Sequence, residues 1–317
     1  MPAELVEKML TGDQRALARL VSAVEGESTA VPEIMQRITP TLGRAYCIGI
    51  TGPPGAGKST ITDRLTAHAR QQGKTVGIIA VDPTSPFSGG AILGDRIRMQ
   101  QHYLDAGVYI RSMASRGHHG GLSRAAKGVI KLLDAFGKSL IIVETVGVGQ
   151  TELDIVAAAD TTVLILVPES GDAIQTIKAG IMEIADLFVI NKADRDGAER
   201  LQRDLQMMLH VRHASDGWCP PVLSTQAHQD IGIVELYEAI ADHRRKLSET
   251  SQLAARRRQN RRQELLDLLQ RQLMATLTTQ FENGEARASL LVQVEEGVVD
   301  PYTAAQRMLV DSAALWR

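Results

Sequence analysis

The chain has 317 residues, of which 44% are hydrophobic, so it is long enough for one large α/β domain with extensions or for two domains. Its 35 basic and 37 acidic residues nearly cancel, and this balance gives no indication of a nucleic-acid or membrane partner. Two cysteines cannot build a disulfide framework, and no apolar run approaches the ~20 residues of a membrane span, so the sequence predicts a cytoplasmic protein.

Residues 1–44 are predicted to form an N-terminal helical segment. Apolar residues recur at helical spacing on both sides of Thr11-Gly12-Asp13, which indicates two short helices, and a third helix is expected over 31–39. No residue of this segment points to a specific chemistry. We therefore expect it to serve as packing or interaction surface.

A glycine-rich stretch follows the next apolar run, 45–51, and precedes a helical pattern. Strand, glycine-rich loop and helix in this order are the context of a phosphate-binding P-loop, whose backbone N–H groups face one concavity at a helix N-terminus. In such a loop Lys58 reaches the β- and γ-phosphates and the Ser59 hydroxyl holds Mg²⁺. The residues expected to contact the nucleotide are Gly52, Pro53, Pro54, Gly55, Ala56, Gly57, Lys58, Ser59 and Thr60.

From residue 45 to about 245, apolar β-branched runs alternate with helical segments, and we predict one P-loop NTPase domain there. Continuous apolar strands separated by helices are typical of a parallel sheet covered on both faces, which binds nucleotide at the carboxyl ends of its strands. The second strand is fully apolar and ends in Asp82, where a Ras-like domain has a switch loop and an antiparallel strand. This chain looks instead like the all-parallel branch of P-loop GTPases, which includes signal-recognition and metallochaperone GTPases. Strands are predicted at 47–51, 75–82, 108–111, 140–145, 161–168, 187–191 and 221–224.

Asn191-Lys192-Ala193-Asp194 matches the N-K-x-D motif that recognises guanine in GTP-binding proteins, at the end of an apolar strand. Asp194 would accept hydrogen bonds from guanine N1–H and the exocyclic amine, which adenine does not offer in that arrangement. A buried carboxylate left unpaired is costly, so such a site can reject the wrong base by roughly 10⁴-fold. We therefore expect GTP and GDP as ligands. Ser224-Thr225-Gln226 resembles the guanine-capping S-A-x loop, with Thr225 in place of the alanine.

The run 141–150 has the layout of a Walker B strand followed by switch II. Glu144, at the strand tip, would hold Mg²⁺ through water, and the Gly147 N–H would sense the γ-phosphate. Asp82 and Asp95 are further candidates near the metal. Asp82 could instead cap the turn with Pro83.

Residues 246–317 are predicted to form a helical segment suited to self-association. Five arginines between 256 and 262 precede leucines at helical spacing, a pattern that could bind nucleic acid. Only 3% of the residues are aromatic, however, so stacking platforms for bases are scarce, and a solvated helix face or a subunit contact is favoured. His118-His119 lacks an accompanying C-x-x-C, and we interpret it as part of a flexible loop.

Three runs together resemble one family closely: Asp82-Pro83-Thr84-Ser85, residues 89–96 with G-x-I-L-G-D, and residues 143–150 with E-T-V-G-V-G-Q. They are similar to those of the MeaB/ArgK/MMAA GTPases, the chaperones of methylmalonyl-CoA mutase, over essentially the whole chain. The resemblance implies a homodimer built through the C-terminal helices. It also implies binding to an adenosylcobalamin-dependent acyl-CoA mutase, gating of cofactor loading and ejection of damaged cobalamin.

The resemblance also identifies residues 169–178 as a third switch, in which Lys178 corresponds to the family lysine linked to hydrolysis. Ala173 departs from the glutamate often found at its position. Catalytic roles are accordingly expected for Lys58, Glu144 and Lys178. Gln150 is not placed like the Ras glutamine, and no arginine finger is evident, so we predict slow hydrolysis by the protein alone.

Two alternatives remain open at this stage. One is a GTPase that delivers nickel or another metal, although no ligand cluster accompanies the motifs. The other is a kinase that phosphorylates a transport protein, although no acceptor site or catalytic aspartate loop is present. Equilibrium metal binding would test the first, and a phosphotransfer assay with labelled GTP would test the second.

Overall fold

The computed structural model describes residues 2–82, 99–114, 121–145, 159–168, 185–212, 218–283 and 285–312. The backbone divides into two compact units, Met1–Ala254 and Ala255–Arg317. The first unit contains the sheet and the P-loop. The predictions for Asp95, His118-His119, Gly147 and the third switch at residues 169–178, with Ala173 and Lys178, concern residues outside the described ranges.

A seven-stranded sheet, in which all described strand pairs are parallel, organises the first unit. Its order is β3-β2-β4-β1-β5-β6-β7, so that β1 lies between β4 and β5 at the centre. The residues of β1, β4, β5 and β6 are buried throughout, as strands covered on both faces must be. The strands are β1 (Tyr46–Thr51), β2 (Val76–Asp82), β3 (Val108–Ala114), β4 (Leu140–Thr145), β5 (Thr161–Leu166), β6 (Leu187–Asn191) and β7 (Val222–Thr225).

This sheet confirms the predicted P-loop NTPase fold and the all-parallel branch within it. Strand β2 pairs in parallel with both β3 and β4, so no antiparallel strand of the Ras type occupies its place. Each predicted strand is present, and the largest difference in bounds is the extension of β3 to Ala114 rather than to 111.

The helices of the first unit cover both faces of the sheet. In the described ranges of this unit they are α1 (Pro2–Leu10), α2 (Gln14–Glu25), α3 (Val31–Ile38), α4 (Lys58–Gln71), α5 (Gly121–Ala135), α6 (Ala198–Arg212) and α7 (Ile233–Glu249), with 3-10 turns at Thr39–Thr41, Gln100–His102 and Ala227–Gln229. The three predicted N-terminal helices are therefore present. Helix α2 begins where Asp13 accepts hydrogen bonds from the amides of Arg15 and Ala16, at 2.7 and 3.1 Å.

The N-terminal helices share a hydrophobic core with α5 and the sheet. Gly128 permits a close approach of α2 to α5, because a Cβ at this position would lie 2.6 Å from Cγ1 of Val24. The Asp134 carboxylate on α5 then accepts hydrogen bonds from three successive amides, Gly43 to Ala45, immediately before β1. The chain is thus fixed at the point where it leaves the N-terminal helices and enters the central strand.

Lys138 is a buried cation at the end of the sheet where β4 begins. Only 3% of the residue is exposed, and its Nζ donates a hydrogen bond to the Gly107 carbonyl at 2.9 Å. Burial lowers the pKa of this ammonium to about 8, and the positive charge of Arg70 acts in the same direction. The folded protein therefore releases this proton more readily than an unfolded chain, in which a lysine has a pKa of about 10.4.

Changing Lys138 to methionine is expected to remove part of the pH dependence of stability. Between pH 8 and about 10.4 the unfolded chain holds the Lys138 proton and the folded chain does not, so the free energy of unfolding rises with pH in this window. The advantage of the wild type over Lys138→Met should accordingly grow from pH 8 to pH 10. Urea unfolding at several pH values measures it, and parallel curves for the two proteins would contradict the prediction.

The helices of the C-terminal region are α8 (Gln252–Asn283), in which the boundary between the units falls, α9 (Glu285–Glu295) and α10 (Pro301–Ser312). Helix α8 carries several large apolar side chains that are exposed to solvent: Leu265, Leu266, Leu268, Leu269, Leu273 and Met274. None of the helices in the described part of the chain is both long and apolar enough to cross a membrane.

Candidate functional site

Glycines occupy the sharp turns of the P-loop, which joins β1 to α4. Gly57 has φ +87° and precedes Lys58, the first residue of α4, so the loop ends directly at a helix N-terminus. Gly52 has φ +149°, and a Cβ there would lie 2.1 Å from the Ile165 carbonyl oxygen of the neighbouring strand. A positive φ and such close approach are open only to glycine. A glycine-rich loop that ends at a helix N-terminus is the arrangement in which main-chain amides bind phosphate oxygens.

Lys58 turns its ammonium group back onto the P-loop. The residue is only 6% exposed, and Nζ donates hydrogen bonds to the carbonyls of Gly52 and Pro53, each at 2.9 Å. The side chain is therefore held against the loop that it follows in sequence. The role of Lys58 at the β- and γ-phosphates stays a prediction.

Ser59 and Glu144 meet at the carboxyl edge of the sheet, as the sequence predicts. Strand pairing sets Glu144 of β4 beside Ile50 of β1, and the Ser59 hydroxyl donates a hydrogen bond to Oε1 of Glu144 at 2.5 Å. The two residues are 7% and 2% exposed. A hydroxyl and a carboxylate are hard oxygen ligands of the kind that Mg²⁺ takes, so the residues present fit this ion. Asp82 ends β2 at the same edge.

Asn191 connects the P-loop to the loop after β7. Its side-chain amide donates to the Ala56 carbonyl at 2.8 Å, and its side-chain oxygen accepts from the Thr225 hydroxyl at 3.1 Å and from the Ala227 amide at 3.2 Å. Asn191 is only 3% exposed, so these bonds are made away from water. A phosphate-binding loop and a base-binding loop are in this way joined through one side chain.

The remaining residues of the N-K-x-D motif turn away from β6 toward solvent. Lys192 adopts the left-handed conformation with φ +57°, and the Ala193 amide donates to the Thr225 carbonyl at 3.1 Å. Asp194 follows and is exposed. Its carboxylate is therefore accessible to a guanine base, although no described contact fixes it.

The structure gives the three residues of the expected capping loop different environments. Thr225 is fully buried at the end of β7 and bonds to Asn191, Ser224 is exposed, and Gln226 begins the turn. The amide that reaches Asn191 from this loop belongs to Ala227, two residues beyond the expected alanine position. Sequence reasoning missed Ala227. The signal was the alanine itself, which takes the middle position of S-A-x if Gln226-Ala227-His228 is aligned to that motif, with Gln226 in place of the serine.

Replacing Thr225 with valine is expected to weaken GDP binding by roughly 5- to 10-fold, because a buried hydrogen bond to Asn191 worth about 1 kcal/mol is lost. The matched control is Ser224→Ala in the adjacent position, whose hydroxyl is exposed and lies 3.4 Å from Gln202 Oε1. The control should bind GDP as the wild type does. Titration with a fluorescent GDP analogue measures both, and equal effects of the two substitutions would contradict the assignment.

In the described part of the chain, no group of three or more His, Cys, Asp or Glu side chains is gathered in a way that could hold a metal ion.

Comparisons with known proteins agree with this geometry. A family model described as methylmalonyl Co-A mutase-associated GTPase MeaB matches residues 17–282, a range that includes all the site residues above. A protein of Pyrococcus abyssi (strain GE5 / Orsay) that is named as a GTPase is 49% identical over 311 residues, with 96% of this chain and 95% of the relative covered. The mitochondrial methylmalonic aciduria type A homolog of Mus musculus is 32% identical over 319 residues, covering 95% of this chain and 77% of the relative. A crystal structure of a LAO/AO transport system kinase has a TM-score of 0.73 and 28% identity, covering 97% of this chain and 96% of that one.

Proposed function

Because the chain belongs to the family of methylmalonyl-CoA mutase-associated GTPases and hydrolyses GTP, we propose that it is the GTPase chaperone of an adenosylcobalamin-dependent acyl-CoA mutase. The observation that carries the proposal is the family match over residues 17–282. The partner is methylmalonyl-CoA mutase or a close relative of it. The protein gates cofactor loading and protects or reactivates that enzyme.

The site residues suit slow GTP hydrolysis, which sets how long the GTP-bound state lasts. The P-loop amides and Lys58 bind the phosphates, and Asp194 together with the loop at Ala227 selects guanine. Ser59 and Glu144 would hold Mg²⁺, and we assign Asp82 and Asp95 as further candidate ligands. When bound, this ion neutralises the charge that develops on the phosphate oxygens. Lys178 is the further residue to which we assign a role in hydrolysis, and the Gly147 N–H senses the γ-phosphate. Activation by the partner raises the rate.

We assign self-association to the C-terminal helices. The exposed leucines of α8 form an apolar helix surface of the kind that monomeric proteins seldom leave uncovered, and a second copy of the chain would bury it. Size-exclusion chromatography with light scattering should therefore give twice the mass of 34.4 kDa. Because no charge excess favours nucleic acid, the arginines near the start of α8 are assigned to this interface or to solvent.

The test is co-purification with candidate B12-dependent mutases while GTP hydrolysis is followed. The expected result is a complex with one mutase and a clearly faster turnover of GTP in its presence. Asp194→Ala is the control, since it should lose the preference for guanine over adenine nucleotides while the fold is retained. If no mutase bound or accelerated turnover, the chaperone role would be overturned while the GTPase activity remained. Transfer of labelled phosphate to a protein acceptor would instead support a kinase.

A further inference from the structure

A buried carboxylate lies on the P-loop helix one turn beyond Ser59. Asp63 follows Ser59 by four residues on α4, so the two side chains share a helix face and lie about 6 Å apart along the axis. Asp63 is only 7% exposed. It has no part in the phosphate or magnesium contacts described above, and its position therefore needs another explanation.

Residues 99–102 supply the contacts of this carboxylate. Nε2 of Gln101 donates to Oδ2 of Asp63 at 2.5 Å, and Nε2 of His102 lies 3.2 Å from both Oδ1 and the main-chain oxygen of Asp63. His102 is 6% exposed, and Met99 is fully buried in the core that also contains Ile61 and Leu65 of α4. We call Asp63, Gln101 and His102 the Asp63 cluster.

A second attachment joins the same two elements farther from the P-loop. Arg70 on α4 makes two hydrogen bonds to the Asp105 carboxylate, at 2.7 and 2.9 Å, and the Gly107 amide donates to the same carboxylate at 2.8 Å. Both side chains of this pair are partly exposed, at 26% and 29%. The segment from Met99 to β3 is thus attached to α4 at two points about seven residues, or ~10 Å, apart along the helix.

The two attachments differ in a way that points to different roles. A partly exposed ion pair such as Arg70–Asp105 tethers a segment at little cost, whereas a buried pair of ionisable groups gains little over apolar residues of the same size. A buried pair does fix orientation, because each partner is left with an unsatisfied buried group if the geometry slips. Asp63 and His102 are such a buried pair, next to the helix turn that carries Ser59.

We propose that Asp63 and His102 are positioning residues of the nucleotide site, which hold residues 99–102 against the first turns of α4 and thereby set the orientation of Ser59 toward Mg²⁺ and the phosphates. The proposal rests on the proposed function, since it assumes that the P-loop binds a nucleotide. It assigns no contact between these two residues and the nucleotide itself.

The proposal makes nucleotide release depend on pH. The hydrogen bond to Asp63 raises the pKa of His102 above its usual value, an effect that burial opposes. Among the described residues, the charged groups that face the pair are Arg64 on α4, 3.9 Å from Asp63, and Asp105, whose charge further favours the protonated imidazole. His102 is therefore charged at low pH, and the pair weakens as the pH rises through the raised pKa.

The experiment measures the dissociation rate of a fluorescent GDP analogue with Mg²⁺ from pH 5.5 to pH 8.5. We expect the wild type to release GDP about 5- to 10-fold faster at pH 8.5 than at pH 5.5, corresponding to the difference between a charged and a neutral hydrogen bond. His102→Gln keeps a neutral donor and should release GDP at one rate across this range. His102→Leu should release it at least as fast as the wild type does at pH 8.5, at every pH.

Arg70→Gln is the matched control, because it cuts the other attachment of the same segment. It should lower the thermal unfolding temperature but keep the pH profile of the wild type. A pH profile unchanged in His102→Gln, or one lost equally in Arg70→Gln, would overturn the proposal. Repeating the series with an ADP analogue tests the proposed function separately. If the protein bound the ADP analogue as tightly as the GDP analogue, the proposed function would be contradicted. The comparison between the variants would still decide whether His102 is a positioning residue.

Discussion

Replacing Gly57 with alanine is expected to reduce the affinity for GDP by roughly 100-fold or more. The new Cβ would lie 2.3 Å from Nδ2 of Asn191, and the backbone at φ +87° is itself unfavourable for alanine. Asn191 would have to give up its bond to the Ala56 carbonyl, at 2.8 Å, in a site closed to water. Leaving those groups unpaired costs about 1–3 kcal/mol each, and 1.4 kcal/mol corresponds to a tenfold change in Kd.

Gly55→Ala is the control for this substitution. Gly55 also has a positive φ, +75°, but a Cβ there meets no atom within 4 Å, so alanine would incur the backbone strain alone. It should weaken GDP binding by about tenfold, consistent with a strain of 1–2 kcal/mol. Calorimetric titration compares the two proteins. Equal losses would show that strain, and not the displacement of Asn191, determines the effect.

Replacing Glu144 with glutamine is expected to slow GTP hydrolysis by about 100-fold and to raise the Mg²⁺ concentration needed for it. The Ser59 hydrogen bond to Glu144 is 2.5 Å long in the wild type. Glutamine retains an oxygen that can accept this bond, but it lacks the negative charge that attracts the ion. The residue is 2% exposed, so solvent cannot replace that charge. Hydrolysis measured as a function of Mg²⁺ concentration gives both values.

Binding without magnesium provides the control for Glu144→Gln. In the presence of a chelator the variant and the wild type should bind GDP with similar affinity, since Lys58 and the loop amides are unchanged. A variant that lost affinity equally with and without the ion would have a damaged phosphate site. The role that we assign to Glu144 would then be wrong.

The sheet and the position of the P-loop could be predicted because both depend on local patterns. Buried parallel strands appear as continuous apolar runs, and Gly52 to Ser59 form a contiguous motif. The meeting of Ser59 with Glu144 was also predictable, since the carboxyl ends of parallel strands converge at one edge of the sheet. Those inferences needed no knowledge of side-chain direction.

Other contacts required information that the sequence does not carry locally. Thr225 lies beside Asn191 only because of the β6–β7 register, and a run such as Ser-Thr-Gln-Ala does not reveal which of its residues begins the turn. The bond between His102 and Asp63 joins residues 39 positions apart. It follows from the path by which the chain returns to β3, which no local pattern fixes.

The bonds of Asn191 imply thermodynamic coupling between the two halves of a bound nucleotide. Because one buried amide contacts the P-loop through Ala56 and the capping loop through Thr225 and Ala227, a change in either loop alters the support of the other. Substitutions in the two loops should therefore combine non-additively in a double-mutant cycle, as expected for residues that share a hydrogen-bonded partner. Binding of the base would then change the free energy with which the P-loop binds the phosphates.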